Sequence, residues 1–144
     1  MVEALLIGLK SKVDATTGQP AVNNSFYTAI GGRWYDNEAP GKEPTFPYAT
    51  VNTGQVMSRY AFDHIVYTVP VQIDLYSNKY DSGEIDDMFD AFKTLFFPTK
   101  STSWIDITVT GFTQVMFKPD NFIRFKLDNI WQITFEFVWE GQES

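Results

Sequence analysis

The chain contains no cysteine and one histidine in 144 residues. The first absence excludes a disulfide framework and any thiolate metal site, and leaves the redox compartment open. The second excludes a two-histidine zinc site and a metalloprotease pair. Cations are few as well: 11 Lys and Arg stand against 18 Asp and Glu, for a net charge of −7. That balance argues against a general grip on nucleic acid, which needs clustered Lys and Arg, while leaving room for a local basic patch. No apolar run approaches the ~20 residues of a membrane span, and the N-terminus has neither the basic flank nor the cleavage site of a signal peptide. The expectation is a soluble protein, made and kept in the cytoplasm, with no membrane partner.

What is present is apolar and aromatic: 44% of residues are hydrophobic and 17% aromatic. At this length the chain is expected to form a single domain, 1–144, that buries roughly two-thirds of its unfolded surface. The clearest stretch is Ile130 to Trp139. Trp131, Ile133, Phe135, Phe137 and Trp139 take every second position, with Gln132, Thr134 and Glu136 between them. Successive strand side chains point to opposite faces, so this is a half-buried strand; a helix would scatter the five large side chains around its axis. A second alternating run spans Ile65 to Tyr76, with Tyr67, Val69, Val71, Ile73 and Leu75 on one face. Pro70 interrupts it and implies an edge or a bulge.

Between these runs, Ile85, Met88, Phe89, Phe92, Leu95 and Phe96 form the apolar stripe of a helix over Glu84 to Phe97, capped by Asp81 or Ser82 and ended by Pro98. An earlier amphipathic helix uses Val2, Leu5, Leu6, Leu9 and Val13, with its stop at Thr16 to Pro20. Asn23-Asn24-Ser25 caps a short helical turn that Gly31-Gly32 ends. Strands are expected at Phe46 to Val51, Trp104 to Val109 and Phe112 to Phe117. Lys118-Pro-Asp-Asn121 is a turn signal, Phe122 to Leu127 reads as a short strand or irregular cover, and Asp128-Asn129 as a tight turn. Exposed loops or arms are expected near 36–45, 52–64 and 117–121; the middle one is either a strand continuation or a mobile arm. The fold class is α+β: a single layer of mostly antiparallel β-sheet with helices packed on one face.

The inventory for chemistry is thin. His64 follows Asp63, and Ser58 lies nearby without a nucleophile-elbow motif, so no hydrolytic triad is indicated. Asp86 and Asp90 stand one turn apart on the helix, but they share the face opposite the apolar stripe, where a solvated acidic surface is expected rather than a metal site. Asp36 and Glu38 sit in a Pro/Gly loop with nothing to suggest a cleft. Gly31-Gly32 lacks the spacing of a phosphate loop. No catalytic, cofactor-binding or metal-binding residue is assigned, and no enzyme activity is expected.

The run Gly32-Arg-Trp-Tyr-Asp-Asn-Glu-Ala to Pro40, followed by Phe46-Pro-Tyr-Ala-Thr-Val51, resembles the small tail-terminator or tail-completion proteins of long-tailed bacteriophages. So do the leading Ala-Leu-Leu-Ile-Gly-Leu helix, the strand Val71 to Ser77, the helix carrying Ile-Asp-Asp-Met-Phe-Asp-Ala-Phe, and the alternating last strand. The likeness is one of element order over nearly the whole chain, and it brings no catalytic residues. It implies a structural virion protein of the tail, assembled in the host cytoplasm. Such proteins form a homo-oligomeric ring, commonly a hexamer, that caps the tail tube and joins it to head-completion or connector proteins. DNA would pass through without sequence-specific binding, and no cofactor is implied. A ring subunit needs two different patches for head-to-tail contact. The residues expected there are Arg59, Tyr60 and Phe62 in the middle loop, and Phe117 and Lys118 in the last. Two alternatives stay open: another head–tail connector or tail-tube component, and an α+β domain holding an apolar small molecule between sheet and helix.

Overall fold

Two long neighbouring strands carry the alternation that sets the layers of this protein. The computed structural model describes residues 1–14, 25–61, 63–97 and 105–143. In chain order the elements are α1 (Val2–Asp14), α2 (Ser25–Ala29), β1 (Trp34–Asp36), β2 (Tyr48–Thr53), β3 (Met57–Ala61), β4 (His64–Ser77), α3 (Gly83–Phe96), β5 (Phe112–Leu127) and β6 (Ile130–Glu143). They form one six-stranded sheet in the order β1-β2-β4-β6-β5, with β3 pairing β4 beyond the end of β2. Among the described residues only β1 and β2 run parallel; the other pairings are antiparallel. The α+β architecture with a mostly antiparallel sheet is therefore the one expected.

β4 and β6 pair from Val66↔Gln142 to Ser77↔Trp131. Because side chains alternate, Val69, Val71, Ile73 and Leu75 share a face with Trp139, Phe137, Phe135 and Ile133, and the three helices pack on that face. From α3, Ile85, Met88, Phe92 and Phe96 are buried against it. The rings interlock: Phe92 meets Phe135 at 5.6 Å and Phe26 of α2 at 5.6 Å, both edge-on, and Phe135 touches Phe97 and Phe137 at 5.8 Å each. Full burial of each such ring contributes about 1.5–3 kcal/mol. The space between the last strand and the Phe-rich helix is thus packed with aromatic rings.

Pro70 lies inside β4, where it is tolerated for a local reason. Its carbonyl accepts from the Gly54 N–H at 2.9 Å. In an extended residue N–H and C=O point the same way, so the missing donor faces the gap between β2, whose pairing ends at Thr53↔Val71, and β3, whose pairing begins at Met57↔Thr68. The β4–β6 ladder loses nothing. α3 begins where the Asp81 carboxylate accepts the Gly83 N–H at 3.0 Å; Ser82 occupies the cap position without making the side-chain bond. α1 packs closely on the segment 105–109: a Cβ on Gly8 would stand 2.5 Å from the Thr108 carbonyl oxygen.

Three expectations are corrected. The segment 117–121 is not a turn: β5 is continuous from Phe112 to Leu127, with register shifts between Gln114 and Met116 and between Pro119 and Asn121. The extra residues are taken up as bulges, which bend a strand without ending it. Pro119 pairs with Phe137, a position whose ladder groups are used toward β4, so its absent N–H falls on the outer edge and costs no β5–β6 bond. Residues 105–109 are not a strand. Burial does alternate, with Ile105 and Val109 buried and Asp106 and Thr108 exposed, but the segment lies on α1 and has no ladder partner among the described residues. Finally, 52–64 is not an arm over its described length: it completes β2 and then forms β3. The stop at 16–20, the cap residues Asn23 and Asn24, Phe62, Pro98 and Trp104 lie outside the described residues.

Candidate assembly surface

Of the five residues expected at an interface, the four that are described fall on opposite edges of the sheet and do not converge. Arg59 and Tyr60 are on β3, the edge beside β4; Phe117 and Lys118 are on β5, the edge beside β6, opposite Trp139 and Val138. Tyr60 is 84% exposed. Arg59 reaches back over the sheet: its Nη2 donates to Glu140 Oε1 at 3.2 Å, and Thr68 Oγ1 donates to the same oxygen at 3.1 Å. Lys118 is exposed. Phe62 lies outside the described residues.

Sequence reasoning missed the distal half of β5. Phe122, Ile123, Phe125 and Leu127 are all exposed, Leu127 at 65%, and Val115 joins them further along. The signal was present in the alternation of Phe122 to Leu127 and in the hairpin turn after it. Asp128 and Asn129 have φ of 52° and 64°, the left-handed pair that a two-residue hairpin requires. On the helix side this half-strand is fastened down. Phe122 stacks on Phe89 at 4.7 Å, and Arg124 makes a forked pair with Asp86 at 2.8 and 3.0 Å. Lys126 lies over Trp131 and donates to the Tyr80 carbonyl at 3.1 Å. The Arg124 hydrogen bonds hold the Asp86 carboxyl below its usual range, and Asp86 in turn raises Arg124. Asp86 is thus engaged with a cation on the sheet, which is a structural use of the acidic helix face.

The face away from the helices carries a polar network. Asp74 is 3% exposed and accepts from Thr134 Oγ1 at 2.6 Å, Gln72 Nε2 at 2.9 Å and Gln132 Nε2 at 3.3 Å. Three donors satisfy a carboxylate that would otherwise be costly to bury. Tyr48 and Tyr76 stack beside it at 4.6 Å. Burial, then the Asp74 charge and Tyr48, push the Tyr76 hydroxyl up to about 12 against the opposing effect of its bond with Thr50; burial also raises Tyr48. On the same face Ile123 and Phe125 stand opposite Thr134 and Gln132.

Among the described residues no group of three His, Asp or Glu side chains comes together to hold a metal. His64 Nδ1 stands 3.3 Å from Asp63 Oδ1, and Ser58 pairs opposite Tyr67 rather than beside them. An open groove of about 810 Å³ runs between α2 and the start of α3, lined by Thr28, Lys79, Asp81, Glu84, Asp87 and Met88 among others. It lies on the flank of α3, outside the packed sheet interior.

No family model matches the sequence, and no curated protein matches it. Among solved structures, the fold is similar to a protein chain of the virion of a native gene transfer agent (GTA) particle: the match covers 96% of this chain and 98% of that one, with a TM-score of 0.65 and 13% identity.

Proposed function

We propose that this chain is a structural, non-enzymatic virion protein that forms a head-to-tail ring ending the tail tube of a long-tailed phage or phage-like particle and joining it to the head connector. The observation that carries this reading is the fold likeness to a chain of a gene transfer agent virion, which extends over 96% of this chain and 98% of that one. The filled sheet–helix interior supports it, because the features left for function are on the rim. Arg59, Tyr60, Phe62, Phe117 and Lys118 are assigned to the contacts between copies or with neighbouring tail and head proteins. An overall charge of −7 suits a passage through which DNA slides without sticking.

The test is electron microscopy of the purified chain, alone and after mixing with terminator-less tails. The reading expects closed rings, six-membered by the family resemblance, seated on the tube end nearest the head. A chain that stays monomeric and binds no tails would end it. Rings seated at the portal end of empty heads would instead establish the connector alternative.

A further inference from the structure

The alternation of ladder bonds fixes which backbone groups are left over at each edge of the sheet. At the hairpin between β5 and β6, Leu127↔Ile130 flanks a two-residue turn and is therefore a bonded pair, as are Phe125↔Gln132 and Ile123↔Thr134 two and four residues along. The N–H and C=O groups of Phe122, Arg124 and Lys126 consequently point outward. The Phe122 N–H is taken by the Asn121 side chain at 2.9 Å; Arg124 and Lys126 leave theirs at the edge. On the other side of the sheet the Gly54–Pro70 bond shows that the even-numbered residues of β4 bond toward β2 and β3. Met57, Arg59 and Ala61, opposite Thr68, Val66 and His64, are therefore the bonded positions of β3, and Ser58 and Tyr60 turn their backbone groups outward. β1 pairs with β2 but does not extend over β3, so β3 presents a slot in line with β1.

These two edges differ in charge. β5 carries Lys118, Arg124 and Lys126 against Asp120, a net +2, so the rest of the chain carries −9. Residues 34–45, which form β1 and the loop after it, carry Asp36, Glu38 and Glu43 against Lys42, a net −2. Asp63, at the end of β3, is exposed as well. Both edges also show apolar side chains on the face away from the helices: Met57 on β3, 67% exposed, and Ile123, Phe125 and Leu127 on β5. Natural edges are blunted by proline, bulges and inward charge. Pro119 and its bulge do this for the proximal half of β5, whereas the stretch from Phe122 to Leu127 is left straight and open.

We infer that the distal half of β5 of one copy adds to the β3 edge of a second copy of this chain, so that the sheet continues from subunit to subunit. The occupant is a second copy because the cationic strand meets the acidic margin that β1, the loop after it and Asp63 set beside β3, whose own Arg59 is engaged with Glu140. Each edge also supplies two outward-facing residues at the same two-residue spacing. Pairing β5 with β5 in a two-fold dimer would instead bring +2 against +2. Addition of unlike edges is heterologous, the kind of contact that closes rings. The inference rests on the ring reading and names the contact within it.

The absence of cysteine makes the test clean. In a continuous sheet Met57 of one copy and Ile123 of the next lie on the same face, so the double variant Met57→Cys with Ile123→Cys, treated with a short bis-maleimide, should give a ladder of covalent multimers. Each single variant should give none. Charge reversal by Lys118→Glu with Lys126→Glu should abolish the ladder, and Asp36→Lys with Glu38→Lys should restore it. Dimers formed by Ile123→Cys alone would overturn the inference in favour of a two-fold contact. Rings visible by microscopy but giving no ladder would overturn it while leaving the ring reading in place. A monomer under all conditions, with or without tails, would end both.

Discussion

β5 and β6 belong to one hairpin and contain similar numbers of aromatic and aliphatic side chains, yet they put them to opposite uses. β6 lies between β4 and β5, and its apolar positions enter the core: Ile133, Phe137 and Trp139 are buried under the helices. Among the described residues β5 has one neighbour, and its distal half leaves Phe122, Ile123, Phe125 and Leu127 at the surface on both faces of the sheet. Isolated exposed apolar residues are ordinary on a soluble protein, but a contiguous row along an open edge is a place for another chain. The lesson is that position in the sheet, rather than composition, separates a stabilising strand from an associating one.

That contrast makes graded predictions. Phe137→Ala should destabilise the fold by about 3–5 kcal/mol, since a fully buried ring leaves a cavity among Phe135 and its neighbours; urea unfolding measures it. Gly141→Ala is next: a Cβ there would overlap the Trp139 indole, and the overpacking should cost about 1–3 kcal/mol. The indole is held by its Nε1–H donation to Gln114 Oε1 at 2.8 Å, so it has little freedom to move aside.

The open face gives a pH signature. The Tyr76 hydroxyl is raised from 10.0 to about 12 in the folded chain, so the stability it contributes is fully present below pH 10 and is lost as pH rises from there toward 12. Over that window the unfolded chain has released a proton that the folded chain retains. After discounting for partial exposure, the loss should be about 1–2 kcal/mol. Tyr76→Phe should flatten the stability curve between pH 10 and 12, as followed by thermal unfolding in alkaline buffers. Smallest of all, Ile123→Ser and Leu127→Ser should each change stability by about 0.5 kcal/mol or less, because surface positions rarely do more. They should nevertheless weaken self-association, and that separation of stability from assembly is what distinguishes β5 from β6.

The same contrast explains what was legible in the sequence. Trp131 to Trp139 and Val69 to Leu75 announce themselves because each has one buried and one polar face, and the stripe from Ile85 to Phe96 because it faces a single sheet. β5 breaks that rule twice. Its distal half alternates Ile123, Phe125 and Leu127 with Arg124 and Lys126, which marks a strand but does not say that its apolar face is left at the surface. Lys118-Pro-Asp-Asn121 has turn chemistry, and only knowledge that Pro119 directs its missing donor away from β6 reveals a bulged edge strand. Residues 105–109 misled in the opposite sense: an alternating pattern records burial, and here a helix supplies the burial without a ladder. For the candidate surface, Arg59, Tyr60, Phe117 and Lys118 marked the two edges, while the exposed row from Phe122 to Leu127 required the strand order to be known.

Light scattering over a concentration series, run side by side on the unmodified chain and on the Ile123→Ser, Leu127→Ser double variant, tests the assignment of β5 most directly. The account predicts that the molar mass of the unmodified chain climbs toward that of a closed ring with concentration, while the equally stable variant stays near the monomer. Equal masses for the two chains at every concentration would contradict it.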